Sequence, residues 1–551
     1  MNLTLGIENF ESAIKKYYID KTLIIKDIVE QGLGSSILVT RPRRFGKSLT
    51  VSMIEHFFSN KYDSYKLFEN LKIANEKEIL SEYLNKFPVI HLNLKDVYGK
   101  TSKDIINIVK DKICLLYREY TFLLNSDKIL DIEKEEFKEI LNKKADETLM
   151  ASSIYRLSRM LYTHFEKKVI ILIDEYDRPL ETAFESGCYD DSLPFIKALY
   201  KNALKGNNFI LFGFLTGVLQ IAKESIFSGL NNLNSASLTD VYLNEYFGFT
   251  KEETLELLDY FKPDFSFEDV KKWYGGYNLI NGNELYNPWS LISAIINNSI
   301  DTYWINTASN DLLIGIFDET NLKERVFNLL GTCVTSVQSI KETNYRNFKD
   351  NAESLLSFLI QTGYFNYERI GKKYKVIVPN EEILQALKYD ILSRKLANIT
   401  RNKANILLEA FLKGDEEQIA IAIKEFILPT FSYYDLREEK DYQNIVSAVL
   451  ATIFDDYKVE SEVNSGIGRC DILITPKFPE GTPIIIEIKK SAAKKEPSQS
   501  NLLKICANAI NQIKNNDYLE TVRNNNFKKV FIYGLVFHNK KCVIRSETII
   551  F

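Results

Sequence analysis

The chain has 551 residues, too many for one hydrophobic core, and domains of roughly 100–200 residues predict about three folded units. Hydrophobic residues make up 45% and charged residues 26%, so a globular protein is expected, without disorder over most of the chain. Lys and Arg total 70 against 74 Asp and Glu, a net charge of −4, which argues against a small protein permanently coated with nucleic acid.

Any contact with DNA or RNA must therefore come from local patches, or be transient and assisted by metal ions. The six cysteines (Cys114, Cys188, Cys333, Cys470, Cys506 and Cys542) form no CxxC pair, which argues against a zinc ribbon and fits reduced thiols better than a disulfide framework. The opening residues lack the apolar core of a secretion signal, and no run reaches the roughly 20 apolar residues that cross a bilayer. A cytoplasmic location without membrane insertion is expected.

Residues 1–250 alternate short apolar runs with helical patterns. Ser36–Thr40, Phe87–Leu94, Val169–Ile173 and Phe209–Leu215 read as buried parallel strands, with helices such as Leu49–Phe58 and Ser152–Phe165 between them. This is the alternation of a parallel α/β sheet. Residues 251–428 read as a mostly helical lid and connector. Its helices are Lys251–Tyr260, Leu291–Asn297, Asn321–Leu330 and Ala352–Thr362, with a strand pair near Tyr364–Tyr367 and Lys373–Val378. Residues 429–551 read as a small α/β domain. A helix at Asp441–Phe454 precedes strands at Tyr457–Val463, Cys470–Thr475 and Pro483–Ile488. A helix at Leu502–Asn515 and strands at Lys529–Phe537 and Cys542–Ile549 follow.

Strand 36–40 runs into Arg41-Pro42-Arg43-Arg44-Phe45-Gly46-Lys47-Ser48, which opens a helix. A strand–loop–helix of this kind aims backbone N–H groups and a helix N-terminus at phosphate oxygens. Lys47 then supplies charge to the β and γ phosphates, Ser48 a hydroxyl to Mg²⁺, and Gly46 room for close approach. Arg43, Arg44 and Phe45 complete the expected nucleotide-binding loop. Arg41 stands where a P-loop ordinarily has its first glycine.

The strand Val169–Ile173 ends in Asp174 and Glu175, at the edge where parallel sheets bind ligands. Asp174 is expected to hold the Mg²⁺ through water and Glu175 to polarise the attacking water. Thr216, at the end of another strand, either senses the γ-phosphate or caps its strand. Arg178 either contacts phosphate or pairs with Asp177.

In the C-terminal third, Asp471 opens an apolar strand and Glu487 and Lys489 share one face of the next. Two carboxylates and a backbone carbonyl make a hard-oxygen site for Mg²⁺ or Mn²⁺. Lys489 beside that metal is placed to orient or deprotonate water attacking a phosphodiester.

These motifs resemble the AAA-ATPase-like family. Tyr18-Ile19-Asp20-Lys21-Thr22, the loop Thr40–Ser48, Ile173–Pro179, Leu215–Val218, Phe227–Asn232, Phe247–Thr250, Trp273–Tyr277 and Tyr286–Ser290 carry the likeness in order. The resemblance implies that Arg41 is a family trait. It also implies a C-terminal restriction-endonuclease-like domain of the PD-(D/E)xK nuclease superfamily, over roughly residues 430–545. By that resemblance Glu439 joins Asp471 and Glu487 as metal ligands, and Lys489 is catalytic. Gln512 and Tyr518 support Lys489 or the phosphate, and Glu462 with Gly468-Arg469 also fit. Gln443 replaces the histidine usual in the first helix. The expected function is an ATP-binding and ATP-hydrolysing protein coupled to a Mg²⁺-dependent nuclease acting on DNA or RNA. The alternative is a nucleotide-dependent switch whose C-terminal domain binds nucleic acid or protein without cleaving. Association with further copies of the chain is left open.

Overall fold

The computed structural model describes residues 3–219, 232–304, 335–337, 352–370, 373–386, 401–427, 439–450, 457–465, 468–478, 481–493, 496–515, 518–525, 527–539 and 541–551. The expected helix at Asn321–Leu330, Cys333 and most of the Phe227–Asn232 motif lie outside them. The chain forms two compact units, Met1–Leu384 and Gln385–Phe551.

The first unit is built on a parallel sheet of β1 (Ser36–Thr40), β2 (Val89–Asn93), β3 (Val169–Asp174), β4 (Ile210–Gly217) and β5 (Leu233–Ala236), in the order β2-β3-β4-β1-β5. Strands β1 and β3 are buried along their whole length, and their interiors are wholly apolar, with Ser36, Thr40 and Asp174 at the ends. Strand β4 runs two residues beyond the expected Leu215, bringing Thr216 and Gly217 into the sheet beside Val39 and Thr40 of β1. A Cβ on Gly217 would lie 2.6 Å from Asp177 Oδ1, so only glycine lets the β3 loop close over that strand end. Strand β5 was not expected, because Leu-Asn-Ser-Ala has no strand signature; its pairing with β1 makes it a strand.

The middle region is helical, as expected, with short strands among its helices. Thr250 and Ser266 cap the helices Lys251–Phe261 and Phe267–Tyr274 with full capping boxes. Asn287 caps Pro288–Asn297, with proline at its first turn. A short hairpin pairs β6 (Tyr277–Asn278) with β7 (Glu284–Leu285). Beyond the helix Ala352–Gln361, the expected strand pair appears as β9 (Asn366–Ile370) and β10 (Lys373–Ile377). They form a sheet with β8 (Thr335–Val337), in the order β8-β10-β9.

The second unit holds a five-stranded mixed sheet in sequential order: β11 (Tyr457–Ser465), β12 (Gly468–Pro476), β13 (Ile484–Lys490), β14 (Lys529–His538) and β15 (Lys541–Ile550). Only β13 and β14 pair in parallel, and the helix Gln499–Asn515 makes the crossover that a parallel pair requires. Alternation along β13 divides its residues between two cores. Ile484, Ile486 and Ile488 pack with residues of the helices Arg401–Lys413, Glu416–Ala422 and Glu439–Leu450, among them Phe411, Ile419 and Tyr442. Ile485 packs on the other face with Ile510 and Ile513 of the crossover helix. Each fully buried isoleucine contributes about 2–3 kcal/mol. The crossover helix presses so close that a Cβ on Gly534 would stand 2.4 Å from Cys506 O. No helix among the described residues is long and apolar enough to cross a membrane.

Candidate functional sites

Gly46 adopts φ +84° as the cap of the helix Lys47–Phe58, and Arg44 before it has φ +70°. These left-handed turns wrap the loop around the helix N-terminus. Lys47 is buried and donates to Arg41 O at 3.0 Å and Pro42 O at 2.9 Å, bonds that hold the loop closed over its own lysine. Burial pulls the Lys47 ammonium below its usual range, against the fields of Glu175, Asp177 and Asp174. Arg43, Arg44, Phe45, Gly46, Lys47, Ser48 and Glu175 all line one cavity of about 450 Å³. That volume lies within the range of small-molecule sites.

Asp174 and Thr216 sit beneath this wall, both buried, and Thr216 Oγ1 donates to Asp174 Oδ1. Asn93 Nδ2 reaches Asp174 Oδ2 at 3.5 Å. Glu175 turns out of the strand at φ +54°, and burial raises its carboxyl against the pull of Lys47. Asp177 is more deeply held. Its Oδ2 accepts from Val218 N and Leu219 N at 2.8 Å each, and burial, with Glu181 nearby, pushes it up to about 6.

Arg41 does not face the cavity as a loop residue would. Its side chain is fully buried, donating to Thr40 O at 2.9 Å, Ala236 O at 2.5 Å and Asn244 O at 3.2 Å, with its guanidinium 5.5 Å from the Phe247 ring centre. The residue in the glycine position thus fastens β1 to β5. Phe45 likewise turns one edge inward, packed against Tyr277 with ring centres 5.0 Å apart.

Several residues in or behind this site were given no role from the sequence. Trp289 stacks under Arg44 at 4.2 Å, and Trp304 Nε1 donates to Arg43 O at 3.1 Å. Glu382 is buried and accepts from Tyr303 N at 2.7 Å, Trp304 N at 2.8 Å and Ser290 Oγ at 2.8 Å. The Asn-Pro start of a helix signals the placement of Trp289; the other contacts join residues far apart in sequence and leave no local trace.

In the second unit the antiparallel register sets Ile472 opposite Ile486, and one step further it sets Asp471 beside Glu487. Asp471 Oδ2 accepts from Ile488 N at 2.7 Å, so a side chain continues the ladder where β12 leaves β13. Lys489 Nζ donates to Glu487 Oε1 at 3.0 Å and to Glu439 Oε1 at 3.1 Å. Lys490 N donates to Glu439 Oε2 at 3.1 Å, fixing the first turn of the helix Glu439–Leu450 against the end of β13.

Glu487 is 1% exposed and its Oε2 has no hydrogen-bond partner among the described residues. Burial, and next the Asp471 carboxylate, push it up to about 7. Asp471 is also raised, by burial, against the Ile488 hydrogen bond and the charge of Lys489. A hydrogen bond from Gln443, in the place of the family's histidine, also lowers it. Two apposed carboxylates and an orphaned buried oxygen suit an added divalent cation. As they stand, no three or more His, Cys, Asp or Glu side chains among the described residues form a ready metal cluster; the lysine ammonium fills that role between Glu439 and Glu487. Gln512 and Tyr518 approach each other, Nε2 to hydroxyl at 3.5 Å.

A parallel sheet with a phosphate loop, and a mixed sheet with an acid–acid–lysine strand pair, define a P-loop domain and a nuclease-like domain. The comparisons agree: residues 4–227 match the family model for a predicted AAA-ATPase, and residues 437–547 that of the PD-(D/E)XK nuclease superfamily. The chain therefore carries an N-terminal AAA-ATPase-like domain and a C-terminal PD-(D/E)XK nuclease superfamily domain. It is also similar to a protein of Azotobacter chroococcum mcd 1 described as an uncharacterized protein in the vnfD 5′ region. The two are 24% identical over 403 residues, 72% of this chain and 70% of that one.

Proposed function

We propose that the protein binds and hydrolyses ATP in the first unit and cleaves DNA or RNA phosphodiesters in the second. In the ATPase, Arg43, Arg44, Gly46 and Lys47 receive the phosphates, Ser48 and Asp174 hold Mg²⁺, Glu175 orients water, and Thr216 sets the Asp174 carboxylate. Residues 1–250 form this module, 251–428 the connector, within which the division at 384 falls, and 429–551 the nuclease module.

The observation carrying the nuclease reading is the Lys489 amine shared by Glu439 and Glu487, beside a Glu487 oxygen that has no hydrogen-bond partner among the described residues. Glu439, Asp471 and Glu487 would hold Mg²⁺ or Mn²⁺, which when bound neutralises charge building on the phosphate. Lys489 is then released from its carboxylates to orient a water molecule for attack. Gln512 and Tyr518 brace the crossover helix on the same face. Incubation of plasmid DNA and of a structured RNA with Mn²⁺ tests this reading. Cleavage lost in both Asp471→Ala and Lys489→Ala is expected, and cleavage equal in the variants refutes it.

A second reading keeps the ATPase and makes the C-terminal domain a binding module that does not cut. The lack of a ready three-carboxylate cluster among the described residues favours it. Under that reading nucleic acid is retained and never cut, whatever the metal.

A further inference from the structure

The cationic side chains lining the cavity include Lys47, Arg43 and Arg178. Lys47 is committed to two carbonyls of its own loop. The two arginines come from different elements. Arg43 belongs to the loop after β1, and Arg178 opens the helix Arg178–Glu185, three residues past Glu175. Both end on one carboxylate. Arg43 Nη2 lies 2.7 Å from Glu181 Oε1, and Arg178 Nη1 lies 2.8 Å from Glu181 Oε2. Glu181 also lines the cavity, and its side chain is only 14% exposed.

Two like charges that share one carboxylate repel each other, and an anion between them offsets that repulsion. A guanidinium carries five N–H donors, and each bond to Glu181 uses one nitrogen, so the same forks suit phosphate oxygens. Glu181 is thus a stand-in for the group this corner of the cavity is shaped to hold.

On the reading that the first unit is an ATPase, we propose that Arg178, together with Arg43, supplies from within the same chain the cationic charge that stabilises the γ-phosphoryl group during hydrolysis. Water oxygen bonds to the γ phosphorus while the bond from that phosphorus to the β–γ bridging oxygen breaks. ADP leaves with the electron pair, and the water proton passes to the Glu175 carboxylate and then to solvent. The γ oxygens take over the guanidinium donors that Glu181 holds beforehand. Such positive charge is worth most where it is already oriented. No residue from a neighbouring subunit is then required.

The test is turnover of Mg·ATP by the full-length chain and three variants, with binding of a fluorescent ATP analogue measured alongside. Arg178→Ala is expected to lower kcat by at least about 100-fold, since a phosphate-directed arginine carries roughly 10³–10⁵ in kcat. Its affinity for the analogue stays within about threefold, a loss confined to the transition state. Arg178→Lys recovers part of the rate. Mixing Arg178→Ala with Lys47→Ala restores nothing, and wild-type turnover per chain is unchanged on dilution. Wild-type kcat in Arg178→Ala overturns the proposal. Activity regained in the mixture, or lost on dilution, overturns it by assigning the arginine to a neighbour. Should Arg178→Ala fail to fold, the dilution series and Arg178→Lys, expected to be slower than wild type, decide alone. A wild-type chain that neither binds nor hydrolyses ATP removes the ATPase reading itself.

Discussion

Glu439 and Glu487, 48 positions apart, close on one amine: Lys489 Nζ lies 3.1 Å from the first and 3.0 Å from the second. That arrangement places a cationic side chain where the proposed metal would sit. The Lys489 ammonium is raised above its usual range, because the pull of Glu487 and Glu439 outweighs the cost of burial. Lys489→Met should therefore retain Mn²⁺ binding, or strengthen it, while cleavage falls by about 10²–10⁴, the range of a lost proton-transfer group. Calorimetric titration with Mn²⁺ beside a cleavage assay checks both halves. Loss of metal binding together with activity would make the lysine structural.

Glu382 gives the first unit a pH dependence with a definite sign. Burial pushes its carboxyl from the ordinary 4.5 up to about 7, against the hydrogen bonds of Trp304 N, Ser290 and Tyr303 N. The folded chain therefore holds this proton where the unfolded chain has lost it. Its contribution to stability is full below about pH 4.5, declines as pH rises to about 7, and is level beyond. Glu382→Gln removes the proton equilibrium while preserving shape. The difference in thermal midpoint between wild type and this variant should drift across that window and stay constant above it; a difference constant throughout contradicts the assignment.

Arg41 predicts that restoring the glycine of an ordinary P-loop does harm. Removing the guanidinium leaves the carbonyls of Thr40, Ala236 and Asn244 buried without their donor. Arg41→Gly should cost about 2–4 kcal/mol of stability and bring no gain in ATP affinity. A denaturant titration measures the first and a nucleotide titration the second. Tighter binding at undiminished stability would mean that the arginine obstructs the site.

Much of this was legible in the sequence because it is local. The apolar runs of β1 and β3 are buried on both faces and say so in their composition. Asp471, Glu487 and Lys489 declare their common face through strand alternation alone. Glu439 came only through family resemblance, since nothing in its helix marks a carboxylate that must reach Lys489 and Lys490. Glu181 and Glu382 were invisible for a stronger reason. Each is an ordinary helix acid until Arg43, 138 positions away, or Trp304, 78 positions away, is folded onto it. Arg41 stands out in the sequence only as a departure from the first P-loop glycine, and its inward role depends on β5, a strand with no strand signal.

Anomalous scattering from crystals of the full chain soaked in Mn²⁺ shows directly whether a cation seats in the second unit. One peak is predicted between Asp471 and Glu487, within about 2.0–2.6 Å of their carboxylate oxygens, with Glu439 or its water completing the shell and Lys489 displaced to the rim. A Mn²⁺-saturated crystal with no peak at that place, and with Lys489 still joined to Glu439 and Glu487, would rule out a metal site there.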